Sequence, residues 1–375
     1  MTWFKRRARF ASLLAASALA LALTAITPSL RAQNDDGLIL SFSTVGDSRQ
    51  DPVTFDPTTA ANYQLRSAAE IEFSVFRRRH DHGLRLGKSA DGCDRGRDCR
   101  FGPDEVYRQY GFWRGMVGGL MQNGTYVVPV AGNHESQCKS CGKTAKVENE
   151  NAWRANMGDL IVDTARFTSL FGQQPTNVNA ADNSALDGLT TDQSQLSYSF
   201  DFRGSHFAVI NTDPVGNDAH APAAWLETDL SAAVGRGVKH LFVFGHKPAF
   251  TYYYGAVTSL PAAPSGLDND LASRDLFWDV IEKYGATYFC GHEHIFHLSQ
   301  PRLGNPTKPG KAWQVLVGSG GSPFEAATTD ITIAPTDRTY AWATVNVYDS
   351  GKVKLYRFDD HFGATKVIDK VVLNP

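Results

Sequence analysis

An excess of either charge is missing from this sequence, in which 37 lysines and arginines stand against 39 aspartates and glutamates. A chain so balanced has no long-range pull toward nucleic acid or anionic lipid, and neither is expected as a partner. Cysteine is scarce: the five are Cys93, Cys99, Cys138, Cys141 and Cys290. No second Cys or His pair stands at knuckle spacing from Cys138-Lys-Ser-Cys141, which argues against a zinc knuckle. A short loop staple is the favoured reading, with a redox dithiol as the alternative. Cys93 and Cys99 form a second candidate pair, and Cys290, inside an apolar run, reads as a buried free thiol. No repeat of solenoid or propeller period is present. The glycine run Gly318-Ser319-Gly320-Gly321 lacks the Lys-Ser/Thr of a phosphate loop, so it reads as a tight turn bordering a site.

The amino terminus has the layout of a cleaved export signal. Lys5, Arg6, Arg7 and Arg9 precede an alanine-rich apolar run from Phe10 to about Ile26, and the small Ala32 precedes a polar stretch. The run is barely long enough to span a bilayer and is rich in Ala and Thr, so residues 1–32 are expected to be removed rather than retained as an anchor. Arg6-Arg7 is also compatible with a twin-arginine route. No cysteine lies near the cleavage region to carry a lipid. A periplasmic or secreted protein is expected, with no membrane attachment after cleavage and residues 33–375 as one domain.

Four strand patterns end in residues that bind metals or protons. Leu38 to Val45 leads to Gly46-Asp47, Tyr126 to Ala131 to Gly132-Asn133-His134-Glu135, His240 to Phe244 to Gly245-His246, and Ala286 to Cys290 to Gly291-His292-Glu293-His294. Where a strand stops, its next side chains leave the sheet edge, the place where α/β folds build their sites. Asp, Asn and His gathered there suit a metal. Between these strands lie helical patterns: Pro103 onward, with Val106, Tyr110, Trp113, Val117 and Leu120 at helical spacing, Ala223 to Val234, and Leu271 to Tyr284, with Leu276, Phe277, Val280 and Ile281 expected on its buried side. A hairpin is expected at Leu196 to Phe202 and His206 to Asn211, and closing strands at Trp313 to Val317, Tyr340 to Tyr348 and Lys352 to Phe358. The pattern predicts an α/β fold of two packed β-sheets flanked by helices.

Two stretches break the pattern. Residues 77 to 100 hold no apolar run of even three residues, and Phe73 to Phe76 reads as a strand remnant cut off by Arg77-Arg78-Arg79. This segment is either an atypical loop or a local reading-frame error. Residues 137 to 191 form a long polar insertion of the kind that shapes a substrate entrance.

The ordered set Gly-Asp, Gly-Asn-His-Glu, Gly-His and Gly-His-x-His, over roughly residues 38 to 325, resembles the calcineurin-like metallophosphoesterase superfamily, which includes the purple acid phosphatases. The resemblance implies a metallophosphoesterase-like sandwich and a pair of metal ions, Mn, Zn or Fe. Asn133, His246 and His292 would hold one ion and Asp47 and His294 the other, with a bridging Asp shared by both. His134 would stand near the leaving oxygen as a proton donor, and Glu135 would orient a neighbouring imidazole. The tyrosine that the purple enzymes give to iron is not placed in this sequence, which favours Mn, Zn or mixed occupancy.

Two departures from the family pattern stand out. Arg49 occupies the position of a histidine ligand found in many members; a permanent cation cannot ligate a metal but can grip a phosphate oxygen. The bridging Asp has only positional candidates, Asp81, Asp91, Asp94 and Asp98. The resemblance thus implies an exported phosphoesterase acting on a phosphomonoester, a phosphodiester or a nucleotide. The alternative is a catalytically silent binding protein that keeps the fold.

Overall fold

A computed structural model describes residues 37–47, 73–77, 103–138, 142–252, 265–304, 309–320, 337, 339–361 and 364–374. All of them fall within the unit Asp36–Pro375. In chain order they form β1 (Leu38–Val45), β2 (Phe73–Arg77), α1 (Pro103–Gln122), β3 (Tyr126–Val130), the single turn α2 (Asn133–Ser136), the short strands β4 (Gln137–Cys138) and β5 (Thr144–Ala145), α3 (Val147–Met157), α4 (Thr164–Phe171), β6 (Thr176–Asn179), β7 (Tyr198–Phe202) and β8 (Ser205–Val209). The chain continues with α5 (Ala223–Gly235), β9 (His240–Phe244), α6 (Leu271–Tyr284), β10 (Thr287–Cys290), β11 (Phe296–Ser299), β12 (Gln314–Val317), β13 (Ala341–Tyr348), β14 (Val353–His361) and β15 (Ala364–Asn374).

The strands build two large sheets, ordered β15-β14-β13-β1-β2-β3 and β11-β12-β10-β9-β8-β7-β6. Successive residues of a strand face opposite sides, and β1 uses both. Its Ser41 donates to Asn346 at 2.7 Å and its Ser43 hydroxyl lies 2.7 Å from that of Thr344, both across to β13. Its Phe42 points into the other sheet, meeting Phe207, Phe242, Phe244 and Phe289 edge-on at centroid distances of 5.4, 4.9, 5.9 and 5.9 Å. Such pairs add about 0.5–1.5 kcal/mol each beyond area burial, and they join the two sheets face to face. The alternate residues Leu241 and Val243 of β9 face outward into a second core with Trp225, Leu226 and Leu230 of α5 and Phe277, Trp278 and Ile281 of α6. Two packed sheets with helices outside are therefore present, as the sequence pattern predicts.

The boundaries of β1, β9 and α6 match their sequence patterns. Asp270 caps α6 by accepting the N–H groups of Ala272 and Ser273, and Gly285 ends it in the left-handed region at φ 62°. Leu276 is a correction: expected on the buried side, it is 64% exposed, while Trp278 is fully buried. At about 100° of rotation per residue, Leu276 falls beyond the stripe set by Val280, Phe277, Ile281 and Trp278.

The second correction concerns the remnant at Phe73. Phe73–Arg77 pairs in parallel with β1 on one side and β3 on the other, Phe76 standing opposite both Val45 and Pro129. It is a central strand, and the arginine run begins at its end. The positions from Arg78 to Arg100 lie outside the described residues. Strands β6, β11 and β15 were not foreseen; β6 is Thr-Asn-Val-Asn, a polar edge strand without an apolar alternation to betray it. Cys138 is disulfide-bonded and Cys290 is a buried free thiol. Cys93, Cys99 and Cys141 lie outside the described residues. Among the described residues, no helix is long and apolar enough to cross a membrane.

Candidate functional site

Parallel pairing puts the carboxyl ends of β1 and β3 at an edge of one sheet, and those of β8, β9, β10 and β12 at an edge of the other. Backbone hydrogen bonds continue past the strand ends and tie these edges together. Gly46 N donates to Val317 O at 2.7 Å and Gly320 N to Gly46 O at 2.9 Å, joining the two sheets. Gly245 N donates to Phe289 O at 3.1 Å and Gly291 N to His246 O at 2.9 Å, which holds the β9 and β10 ends side by side. Glycine is required by space at two of these points. A Cβ at 291 would stand 2.5 Å from Asp47 Oδ2, and one at 318 would stand 1.8 Å from the Glu293 carbonyl oxygen.

Two non-glycine residues here adopt the left-handed region, Asp47 at φ 52° and His292 at φ 75°. Such a conformation costs an L-residue about 1–2 kcal/mol, and strain of this kind concentrates where a side chain must be aimed. The two strained residues meet: His292 N donates to Asp47 Oδ2 at 2.7 Å. Asp47 Oδ1 lies 3.8 Å from His294 Nε2, and neither side chain has any solvent exposure.

Around the same edge, Asn133 Oδ1 lies 3.0 Å from His246 Nε2, which lies 3.2 Å from His292 Nδ1. The two imidazoles are nearly perpendicular, with centroids 5.1 Å apart at 82°. The five residues singled out in the sequence thus form one continuous series of contacts, Asn133, His246, His292, Asp47 and His294. His134 follows Asn133 on the same helical turn and is half-buried. Arg49 lies outside the described residues, as do Asp81, Asp91, Asp94 and Asp98.

The chemistry of the donor set can be tested against a cation. A ring nitrogen has one in-plane site, either a proton or a lone pair. His246 Nε2 therefore cannot serve both Asn133 Oδ1 and His292 Nδ1 as a linear hydrogen bond. Two donors about 2.1 Å from one ion and about 90–110° apart stand roughly 3.0–3.4 Å from each other, which is the spacing found. Among the described residues there is no group of three or more His, Cys, Asp and Glu able to hold a metal. The trio that fits contains only two such residues, its third donor being the amide oxygen of Asn133. Asp47 and His294 stand beside the trio, with Asp47 Oδ1 3.8 Å from His294 Nε2.

Other polar residues also organise the site, and not all of them carried a clear sequence signal. Glu135, expected to orient an imidazole, accepts the Gly132 N–H at 2.9 Å and closes a capping box on α2. Glu293 is buried and accepts the Tyr252 N–H at 2.6 Å. The Tyr253 and Tyr254 that follow lie outside the described residues. Lys247 and Asp213 form a buried ion pair of 2.6 Å just behind His246. The only hints in the sequence were the lysine in Gly-His-Lys-Pro and the Asp-Pro step after β8.

No family model and no curated protein sequence matches the chain. Solved structures do. The chain is similar to the purple acid phosphatase PPD1 from yellow lupin (Lupinus luteus) seeds, with a TM-score of 0.55 and 13% identity over 89% of this chain and 53% of that one. It is also similar to PhoD, with a TM-score of 0.57 and 12% identity over 89% of this chain and 69% of that one. The chain spans about half the length of the lupin phosphatase. At such identity the likeness is one of fold: this chain shares the fold of the lupin phosphatase and of PhoD.

Proposed function

We propose that the chain is an exported, metal-dependent phosphoesterase that hydrolyses a phosphomonoester, a phosphodiester or a nucleotide. The observation that carries this reading is the meeting of Asn133 Oδ1, His246 Nε2 and His292 Nδ1 at spacings of 3.0 and 3.2 Å on the site edge of a metallophosphoesterase fold. Asn133, His246 and His292 would hold one ion, and Asp47 and His294 would contribute to a second. When bound, such ions lower the pKa of a water and offset the charge of the phosphoryl oxygens. The chain supplies the rest. His134 delivers a proton to the leaving oxygen, Arg49 grips a phosphate oxygen, and the strained backbone at Asp47 and His292 keeps their side chains aimed before substrate arrives. The disulfide at Cys138 supports an oxidising compartment, in keeping with removal of residues 1–32 during export.

A second reading, a silent binding protein on the same fold, is favoured by Arg49 in place of a histidine ligand and by a bridging Asp that has only positional candidates in the sequence. The two separate by experiment. Elemental analysis of the purified mature chain together with hydrolysis of p-nitrophenyl phosphate decides: two ions with turnover supports the phosphoesterase, and one or none without turnover supports the binding protein.

A further inference from the structure

The ion pair behind His246 has a role beyond charge balance. Asp213, 1% exposed, offers one oxygen to three donors from three segments. Its Oδ1 accepts from Lys247 Nζ at 2.6 Å, from Ala219 N at 3.1 Å and from Gln137 Nε2 at 3.2 Å. Its Oδ2 accepts from Thr212 Oγ1 at 3.3 Å.

Each of two partners is a rigid neighbour of a candidate ligand. Gln137 caps the single turn α2, its N–H donating to the carbonyl of Asn133 itself. Its side chain also donates to Asp218 Oδ1 at 2.8 Å, and the same oxygen accepts Ala145 N at 3.0 Å. The turn bearing Asn133 and the hairpin after it are therefore pinned to residues 213–218. Lys247 adjoins His246 and is held at every polar group: its N donates to Thr212 Oγ1 at 3.3 Å, its carbonyl accepts from Tyr288 at 2.6 Å, and its ammonium meets Asp213. A buried ion pair adds little net stability, because desolvation offsets the attraction, but breaking it leaves an uncompensated charge. Its consequence here is geometric: two segments cannot separate without stranding Asp213.

We infer that Asp213 is a positioning residue for the candidate metal site, setting Asn133 through Gln137 and His246 through Lys247, and so fixing the 3.0 Å between Asn133 Oδ1 and His246 Nε2. The inference rests on the proposed function only for what those two atoms hold. A displacement of about 1 Å in such a constellation costs up to ~100-fold.

The test uses the mature chain and two readouts. One is the side-chain ¹⁵N–¹H spectrum of the metal-free protein, with His246 assigned by its loss in His246→Gln. The other is titration with Co²⁺ alone, followed by its visible absorption. Gln137→Leu removes one arm without stranding a charge, and Asp213→Asn weakens both arms. His206→Gln, at the opposite end of the strand that leads to Asp213, is the control for general destabilisation. Gln137→Leu and Asp213→Asn should move the His246 resonance, weaken Co²⁺ about tenfold or more and alter its absorption band, while the control lowers the unfolding midpoint and leaves all three unchanged. If Asp213→Asn does not fold, Gln137→Leu decides. A His246 resonance unmoved in Gln137→Leu, or moved equally by the control, overturns the positioning role whether or not Co²⁺ binds. A wild type that takes no Co²⁺ while Gln137→Leu still moves the resonance supports the positioning role and refutes the metal reading.

Discussion

His206 makes a quantitative test of how this fold holds charge away from the site. Its fully buried ring lies between two carboxylates, Nδ1 at 2.6 Å from Asp201 and Nε2 at 2.8 Å from Asp229. Both nitrogens can donate at once only if the imidazole is charged. Asp201 also accepts from Arg236 at 2.8 and 3.0 Å and from Asn177 at 2.8 Å, and Asp229 accepts from Ser199 at 2.7 Å. Two carboxylates thus face one imidazolium and one guanidinium, with no net charge. Burial alone would lower the His206 pKa from 6.5, but the hydrogen bonds and charges of Asp201 and Asp229 outweigh it and raise it. Burial alone would raise Asp201, but His206, Arg236 and Asn177 hold it down to about 2.

The perturbation is His206→Gln. Removing one partner of a buried charge pair costs about 3–5 kcal/mol, and the single amide donor that Gln restores returns about 1 kcal/mol. A loss of about 2–4 kcal/mol is expected near pH 6. The sign of the pH dependence follows from the raised pKa. Stabilisation by His206 is fully present below about 6.5 and is lost as pH rises through the folded-state value, so the gap between wild type and variant narrows toward alkaline pH. On the acid side, the contribution of Asp201 is present above about 3.8 and is lost as pH falls toward 2. Urea unfolding at a series of pH values, fitted with a shared slope, measures both curves. A difference under about 1 kcal/mol at pH 6 would refute the charged clamp, and so would a difference that widens from pH 6 to pH 9.

Three further outcomes are expected. Gly318→Ala places a methyl 1.8 Å from the Glu293 carbonyl oxygen, and the forced backbone shift should cost about 1–3 kcal/mol and weaken Co²⁺ binding, read by thermal unfolding and titration. Tyr198→Phe removes the buried 2.7 Å hydrogen bond from β7 to the Pro129 carbonyl of β3 in the facing sheet, for a loss of about 1–2 kcal/mol in urea unfolding. His246→Ala should abolish both Co²⁺ uptake and aryl phosphate turnover, with circular dichroism unchanged; wild-type turnover in that variant would remove His246 from the reaction.

Much of this protein can be read from the order of its residues. Strands such as β1 and β9 and the helix α6 are bounded by short-range rules, the two-residue alternation of a pleat, the side-chain cap at Asp270 and the left-handed stop at Gly285. The ordered motifs also singled out Asp47, Asn133, His246, His292 and His294, because a strand end followed by glycine and a donor is a local signal. The central place of β2 was less visible: its five residues gain meaning only from β1 and β3 on either side.

Local order determined which donors leave the sheet edges, since steric preference and side-chain period act over a few residues. Tertiary structure alone decided which donors touch. Asn133 and His246 are 113 positions apart, and Asp213 reaches Gln137 across 76. Contacts at that range depend on strand register and on two sheets packing through Phe42, and nothing in a neighbouring stretch of sequence encodes a distance between them.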